Sequence, residues 1–126
     1  MSYVLDASAV LVLLNQEPGH VFVKEHLSQS MISAVNFSEV ITVLVGYGMP
    51  HIDATSVIFA LKLEIIPFDT EQASKSAALR LATKPFGLSL GDRACLSLAE
   101  IKKLPVITAD KIWARLELPI DILLAR

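Results

Sequence analysis

The sequence predicts an α/β fold: a three-layer α/β/α sandwich around a mainly parallel central sheet of four to five strands. Two observations support this prediction. Short β-rich runs alternate with helical patterns along all 126 residues, as in chains built from βαβ units. Several of the helical stretches are apolar on almost every face, which is typical of buried helices. We therefore expect one domain over residues 1–126.

The first half of the chain predicts two strands and four helices. The strands cover residues 2–6 and 31–35, and the helices cover 7–15, 20–27, 36–47 and 50–62. A Glu17-Pro18-Gly19 turn separates the first two helices, and Gly48 ends the third. Pro50 suits the first turn of the fourth helix, because proline has no N–H to lose there.

The second half predicts three strands and three helices. The strands cover 64–68, 105–109 and 120–124, the helices cover 69–83, 89–103 and 111–116, and residues 84–87 form a loop. Asp69 and Gln72 have the spacing of a capping box at the start of the first of these helices. Gly91 lies in the first turn of the next, where glycine is unfavourable, so we expect a close approach to its backbone or tight packing there.

The composition excludes several classes of protein. With 53% apolar and 19% charged residues the chain is not disordered, and a single cysteine, Cys95, excludes a disulfide scaffold. No uncharged apolar stretch approaches the ~20 residues of a membrane-spanning helix, and no basic residue precedes the first apolar run. We therefore expect a cytoplasmic protein that does not associate with membranes.

The charge is small but unevenly distributed. The net charge is −2, which is not typical of a protein that binds nucleic acid through a large basic face. Residues 1–60 contain one lysine and five acids, and the remainder contains ten basic and eight acidic residues. Direct contacts to phosphate are thus expected from the second half of the chain.

Four acids fall where a predicted strand is followed by a helix. Asp6 ends the first strand, Glu39 lies in the first turn after the second, Asp92 lies in the first turn of the helix that begins at 89, and Asp110 ends the strand 105–109. Each has a purely structural interpretation. Asp6 and Asp110 suit helix N-caps, and Glu39 and Asp92 complete capping-box spacings with Asn36 and Ser89.

As a set, the four acids indicate a metal site. In a parallel α/β sheet, ligands bind beyond the carboxyl ends of the strands, so these positions share one edge. Carboxylates crowded together repel one another unless a cation lies between them. Mg²⁺ and Mn²⁺ prefer such oxygen ligands, and two of these ions form the usual site for in-line phosphodiester displacement.

Five segments of the sequence resemble one family. They are V-L-D-A-S-A-V at 4–10, N-F-S-E-V at 36–40, P-F-D-T-E-Q-A at 67–73, G-L-S-L-G-D-R-A-C-L-S-L-A at 87–99 and V-I-T-A-D-K-I-W at 106–113. In order and spacing they resemble PIN-domain ribonucleases, and more narrowly the VapC-type toxins of type II toxin–antitoxin systems.

The resemblance implies a PIN-like fold and an activity. The activity is that of an endoribonuclease dependent on Mg²⁺ or Mn²⁺, which hydrolyses RNA by a two-metal-ion mechanism. The catalytic and metal-binding residues would be Asp6, Glu39, Asp92 and Asp110. The resemblance further implies a VapB-like antitoxin as partner.

Other residues are candidates for supporting roles. Ser8 and Thr108 lie two residues from Asp6 and Asp110, and each suits either a place beside the metal or ordinary secondary structure. Arg93, Lys111 and Arg115 are candidates for contacts to RNA phosphates or are simply solvated charges. Asn36 could approach the site, but an N-cap role is favoured.

Two alternatives and one further expectation complete the sequence-based hypotheses. A haloacid-dehalogenase-like phosphatase also begins with an aspartate after its first strand, but it needs a second where this chain has Ser8. A non-catalytic α/β interaction module would keep the caps without the chemistry. The apolar helices exceed what one small core needs, so we expect a homodimer interface and a groove for the antitoxin.

Overall fold

The computed structural model describes residues 1–126 and contains one five-stranded sheet in which all strands are parallel. The strands are β1 (Tyr3–Leu5), β2 (Ser30–Ser33), β3 (Glu64–Ile66), β4 (Val106–Thr108) and β5 (Ile122–Leu124). Their order across the sheet is β3-β2-β1-β4-β5. The predicted α/β class and parallel sheet are therefore confirmed.

Seven α-helices and three short 3₁₀ helices connect these strands. The α-helices are α1 (Ala7–Leu14), α2 (His20–His26), α3 (Ala34–Gly46), α4 (His51–Ala60), α5 (Thr70–Ala78), α6 (Arg80–Thr83) and α7 (Leu90–Lys102). The 3₁₀ helices are Leu27–Gln29, Lys84–Phe86 and Lys111–Arg115. None of the helices has both the length and the hydropathy that crossing a bilayer requires.

The sheet separates two apolar cores. In the central strand β1, Val4 pairs with Met31 and Val106, and Leu5 pairs with Ile32 and Ile107. Successive side chains of a strand point to opposite faces. Accordingly Leu5 belongs to a core of 14 buried residues shared with α1–α4, whereas Val4 belongs to a core of 10 shared mainly with α7 and Trp113. This arrangement is the predicted sandwich.

The structure corrects two of the predicted helix boundaries. Helix α3 begins two residues earlier than predicted, because the Ser33 hydroxyl, rather than the Asn36 side chain, accepts the hydrogen bond from an N-terminal N–H, that of Val35. The predicted helix 69–83 is divided at Leu79 into α5 and α6. Leu79 is buried in the second core, and its carbonyl accepts a hydrogen bond from the Thr83 hydroxyl.

The topology places three chain segments with acidic residues at the middle of one sheet edge. Asp6 directly follows β1, α3 directly follows β2, and Asp110 lies two residues after β4. Since β1 lies between β2 and β4, the carboxyl ends of these strands are neighbours. Helix α7, which carries Asp92, packs against α3 and against β1.

Candidate active site

Asp6 is the most buried acid of the molecule and begins α1. Its side chain is only 4% exposed and accepts the N-cap hydrogen bond from the Ala9 N–H at 2.9 Å. Its oxygens also accept hydrogen bonds from the Ser8 hydroxyl at 2.7 and 2.9 Å and from the Thr108 hydroxyl at 2.6 Å. Asp6 is therefore both a cap and the centre of a hydrogen-bonded cluster.

Burial raises the pKa of Asp6 from 3.8 to about 6. The negative charge of Asp92 acts in the same direction, since a second carboxylate nearby disfavours ionisation. The hydrogen bonds from Thr108, Ala9 and Ser8 act in the opposite direction, because they stabilise the ionised form. The carboxylate is held in place by donors but lacks a countercharge.

The hydroxyl groups of Ser8 and Thr108 connect the ends of β1 and β4. They lie 3.2 Å apart; the Ser8 hydroxyl accepts from the Ala109 N–H at 2.9 Å, and that of Thr108 accepts from the Asp110 N–H at 3.1 Å. Thr108 is fully buried. Both predicted supporting residues thus contact Asp6 directly.

Asp92 and Asp110 each begin a helix. Asp92 forms a reciprocal capping box: its carboxylate accepts from the Ser89 N–H at 2.9 Å, and its own N–H donates to the Ser89 hydroxyl at 3.2 Å. Asp110 is exposed, and its carboxylate accepts from the Ile112 N–H at 3.1 Å. The cap interpretations of both residues are correct, and each leaves a second carboxylate oxygen without a hydrogen bond from the protein.

Glu39 does not form a capping box with Asn36. It is the sixth residue of α3, so it lies in the second turn of that helix rather than the first. The Asn36 amide, which is 1% exposed, donates to Glu39 Oε1 at 2.7 Å and to the Gly91 carbonyl at 2.9 Å. A Cβ atom on Gly91 would overlap the Glu39 carboxylate. The close approach expected at Gly91 is therefore that of Glu39.

The negative charges of three of the four acids act on the buried thiol of Cys95. Burial raises the pKa of Cys95 well above its usual value, and the negative charges of Asp6, Asp92 and Glu39 raise it further. Asp110 lies outside this group and instead lines a cleft of about 680 Å³, together with Ser8, Lys111 and Arg126. Asp6, Glu39 and Asp92 thus influence one buried group, and hydrogen bonds through Ser8 and Thr108 connect the Asp110 backbone to Asp6.

The chemistry of this site suits a hard divalent cation. The two ion pairs of the molecule, Lys75–Glu100 and Arg126–Glu17, involve none of the four acids. The available donors are carboxylate and hydroxyl oxygens, which Mg²⁺ and Mn²⁺ prefer. No three acidic side chains converge on a single point in this arrangement. The donor types fit such ions, whereas the positions of the side chains do not form a closed cage.

The three basic residues predicted to contact RNA lie in different environments. The Arg93 guanidinium donates to the Ser76 carbonyl at 2.9 Å and so joins α7 to α5. That of Arg115 lies 5.7 Å from the centre of the Phe86 ring. Lys111 is exposed in the cleft beside Asp110. Of the three, Lys111 has the most direct access to that cleft.

Sequence reasoning missed the roles of Asn36 and Arg126. Asn36 lies three residues before Glu39. This spacing is found in a capping box at the start of a helix, and it also brings two side chains together on one face inside a helix. Only the position of the helix start distinguishes these alternatives. Arg126 pairs with Glu17, 109 residues away, and no local pattern indicates that contact.

The match to a family model decides which family these features belong to. The model of the PIN domain matches residues 3–118. The chain belongs to the PIN-domain family. No curated protein matches this PIN-domain chain in sequence.

Solved structures of toxin–antitoxin complexes share this PIN fold. DNA-bound VapBC from Salmonella typhimurium aligns with a TM-score of 0.77 at 18% identity, over 100% of this chain and 99% of that one. A toxin–antitoxin complex from Klebsiella pneumoniae aligns with a TM-score of 0.69 at 25% sequence identity, over 96% of this chain and 100% of that one. VapC20 of Mycobacterium tuberculosis, a toxin that cleaves the sarcin–ricin loop, aligns with a TM-score of 0.72 at 12% sequence identity, over 95% of this chain and 99% of that one. The VapC-like fold thus extends over essentially the whole chain.

Proposed function

We propose that this protein is a Mg²⁺- or Mn²⁺-dependent endoribonuclease and the toxin of a VapC-type toxin–antitoxin pair. The observation that carries the proposal is the group formed by Asp6, Glu39 and Asp92. Asp6 directly follows the central strand of a PIN fold, Glu39 lies against the turn of α7 that carries Asp92, and none of the three forms an ion pair. Like charges at such a place are stabilised when a cation lies among them.

Asp6, Glu39, Asp92 and Asp110 are the residues that would hold the metal. When bound there, a pair of divalent ions supplies the positive charge that activates water and stabilises the phosphate during in-line displacement. The remaining tasks fall to the protein. Ser8 and Thr108 orient the Asp6 carboxylate and favour its ionised form through their hydrogen bonds.

Contacts to RNA fit the cleft beside Asp110. Lys111 is exposed there, and Arg126 lines the same cleft. Positive side chains beside the acids suit the phosphates that flank the bond to be cut. We assign Lys111 as the first phosphate contact and keep Arg93 and Arg115 as further candidates for RNA contacts.

The proposal includes protein partners. Two of the solved structures that share this fold are toxin–antitoxin complexes, and the one from Salmonella typhimurium has DNA bound. In this chain, α3, α4 and the turn that joins them expose the apolar side chains Val45, Tyr47, Ile52 and Phe59. Exposed apolar side chains of this size are typical of interaction surfaces. We assign them to a homodimer interface, expect a VapB-like antitoxin as second partner, and place the action on RNA in the cytoplasm.

Cleavage of an end-labelled RNA in Mn²⁺ tests the proposed activity. We expect internal cuts that EDTA abolishes, and we expect Asp6→Asn and Asp92→Asn to remove the activity without unfolding the protein. Asp110→Ala should reduce the rate less than Asp6→Ala, because Asp110 is exposed and lies outside the group of Asp6, Glu39 and Asp92. Sequencing-gel mobility of the products reports the ends, for which we expect 5′-phosphate and 3′-hydroxyl groups.

Asp69→Asn is the matched control. Asp69 also begins a helix, and its carboxylate accepts from the Gln72 N–H at 2.9 Å, but it is outside the acidic group. Full activity of Asp69→Asn alongside inactive Asp6→Asn separates a catalytic role from capping. Unchanged cleavage by both Asp6→Asn and Asp92→Asn would refute the assignment.

A further inference from the structure

Glu39 is held by an unusual set of contacts between two helices. Its carboxylate lies against the backbone of Gly91, which is the residue before Asp92 at the start of α7. On the other side, the Asn36 amide donates to Glu39 Oε1 at 2.7 Å. The carboxylate is therefore held between a side chain of its own helix and the first turn of α7.

The hydrogen bonds of Asn36 determine both its orientation and that of Glu39. Its Nδ2 atom donates to Glu39 Oε1 and to the Gly91 carbonyl, and its Oδ1 is buried without a partner. The opposite amide orientation would place Oδ1 against two acceptors, the carboxylate and the carbonyl, and is excluded by repulsion. Asn36 thus holds the Glu39 carboxylate in a single orientation.

Glycine at position 91 is required for this arrangement. Any larger residue would place a Cβ atom inside the space that the Glu39 carboxylate occupies. Alanine favours helices more than glycine, so local helix propensity does not account for glycine here. The space beside the Gly91 backbone is filled by the functional side chain of another helix.

We propose that Asn36 and Gly91 are positioning residues, which hold the Glu39 carboxylate against the first turn of α7, next to Asp92, in the orientation from which it would bind a divalent cation. This inference rests on the proposed function, because it concerns the same metal site. Outer groups that orient a ligand typically change metal affinity roughly 10–100-fold when they are removed. Asn36 contacts Glu39 directly and is almost fully buried, as such a group should be.

Mn²⁺ affinity, measured from the electron paramagnetic resonance signal of the free ion, tests this inference without RNA. Asn36→Leu keeps the branched shape and the number of side-chain heavy atoms and removes the donor, whereas Gly91→Ala displaces Glu39 and leaves Asn36 in place. We expect both to raise the dissociation constant for Mn²⁺ roughly 10–100-fold. Circular dichroism establishes whether each variant is folded. If Asn36→Leu does not fold, Gly91→Ala alone still tests the inference.

A double variant distinguishes positioning from a general effect on the fold. In a Glu39→Gln background, Asn36→Leu should weaken Mn²⁺ binding no further, because it acts through the carboxylate that is already gone. Gln72→Leu is the matched control: Gln72 is also a buried amide, its Nε2 donates to the Pro67 carbonyl, and its Oε1 lacks a partner. It should bind Mn²⁺ as the unaltered protein does.

The possible outcomes separate this inference from the proposed function. If the unaltered protein binds Mn²⁺ and both Asn36→Leu and Gly91→Ala bind it equally well, the positioning roles are wrong and the metal site stands. An undiminished effect of Asn36→Leu in the Glu39→Gln background also contradicts them. If the unaltered protein binds no Mn²⁺, both the positioning roles and the metal-dependent function are overturned.

Discussion

At the scale of single residues, Asp6 shows how a capping aspartate can hold its charge away from water. An exposed N-cap aspartate, such as Asp69, satisfies backbone N–H groups and keeps its charge in water. Asp6 makes the same cap but is 4% exposed, so the same charge is desolvated. The cost of that charge is measurable through the pH dependence of stability.

We predict that metal-free protein loses stability as the pH rises through the pKa of Asp6. The folded pKa of about 6 exceeds the usual 3.8, so between these values the folded state binds more protons than the unfolded state. The free energy of unfolding then falls with rising pH and becomes level above about pH 7. The difference between the two pKa values corresponds to about 3 kcal/mol.

Urea unfolding of the unaltered protein and of Asp6→Asn, both in EDTA, measures this effect. The other carboxylates titrate in both proteins, so the difference in unfolding free energy isolates Asp6. Asp6→Asn should gain up to about 3 kcal/mol relative to the unaltered protein between pH 4 and pH 7. A difference that stays constant over this range would show that Asp6 ionises as freely as an exposed residue.

Sequence alone could indicate which acids to consider, but not how they are arranged. Asp6, Asp92 and Asp110 are recognisable because each follows a strand or begins a helix, and all three do cap helices. Glu39 was expected one turn too early and Asn36 was expected to be the N-cap, because the start of α3 depends on Ser33. The contact of Asn36 with Gly91 spans 55 residues and follows from the packing of α3 on α7.

At the scale of secondary-structure elements, α7 connects the site to the core. Its first turn carries Asp92 and the capping box with Ser89, and the following turns bury Cys95, Leu96, Leu98 and Ala99 in the second core. Anchoring by this buried segment fixes the position of its first turn. The location of Asp92 is therefore coupled to the stability of the helix that carries it.

We predict that Ser89→Ala destabilises the protein by about 1 kcal/mol. The Ser89 hydroxyl accepts from the Asp92 N–H at 3.2 Å, and loss of such a cap costs roughly 0.5–2 kcal/mol. Thermal or urea unfolding measures the change. Ser56→Ala is the control, because the Ser56 hydroxyl, exposed on α4, donates only to a carbonyl of its own helix. Equal losses in both variants would contradict a capping contribution from Ser89.

The elements were predicted well where local sequence signals are strong, and less well where tertiary packing determines the bounds of a helix. The order of strands and α-helices was correct with errors of a few residues at the ends, but the predicted loop 84–87 contains the 3₁₀ helix Lys84–Phe86 and the helix predicted over 111–116 is also 3₁₀. The division of the helix 69–83 at Leu79 was missed because the stretch is amphipathic without interruption. It depends on the burial of Leu79 in the core beside α7, which no local pattern shows.

At the scale of the whole molecule, the fold brings basic residues beside the acids in a chain of negative net charge, as the proposed action on RNA requires. The net charge is −2, and ten of the eleven Lys and Arg residues follow residue 60. The topology brings Lys111 and Arg126 from that half beside Asp110 and Ser8. The strand order β3-β2-β1-β4-β5, which sets these neighbours, arises from contacts between distant segments, so the sequence could predict parallel strands but not their order.

The apolar composition also has a consequence at this scale. The two cores account for many of the apolar residues, yet Tyr47 is 86% exposed and Ile52 is 74% exposed, five residues apart around the start of α4. Val45 and Phe59 add to the apolar surface of α3 and α4. Four of the eight large exposed apolar side chains thus lie on α3, α4 and the turn between them. Their exposure to water does not stabilise the monomer, so we propose this surface as the contact with a second copy of the chain.

We predict that the protein is a dimer at micromolar concentration and that Tyr47→Lys combined with Ile52→Lys makes it monomeric. Both side chains are exposed, so the double variant should unfold at nearly the same temperature once dimer dissociation is taken into account. Sedimentation velocity over a range of concentrations measures the change. Leu81→Lys is the control, because Leu81 is 84% exposed on α6 and lies outside this surface. A monomeric unaltered protein, or dissociation by Leu81→Lys alone, would show that α3 and α4 do not form the interface.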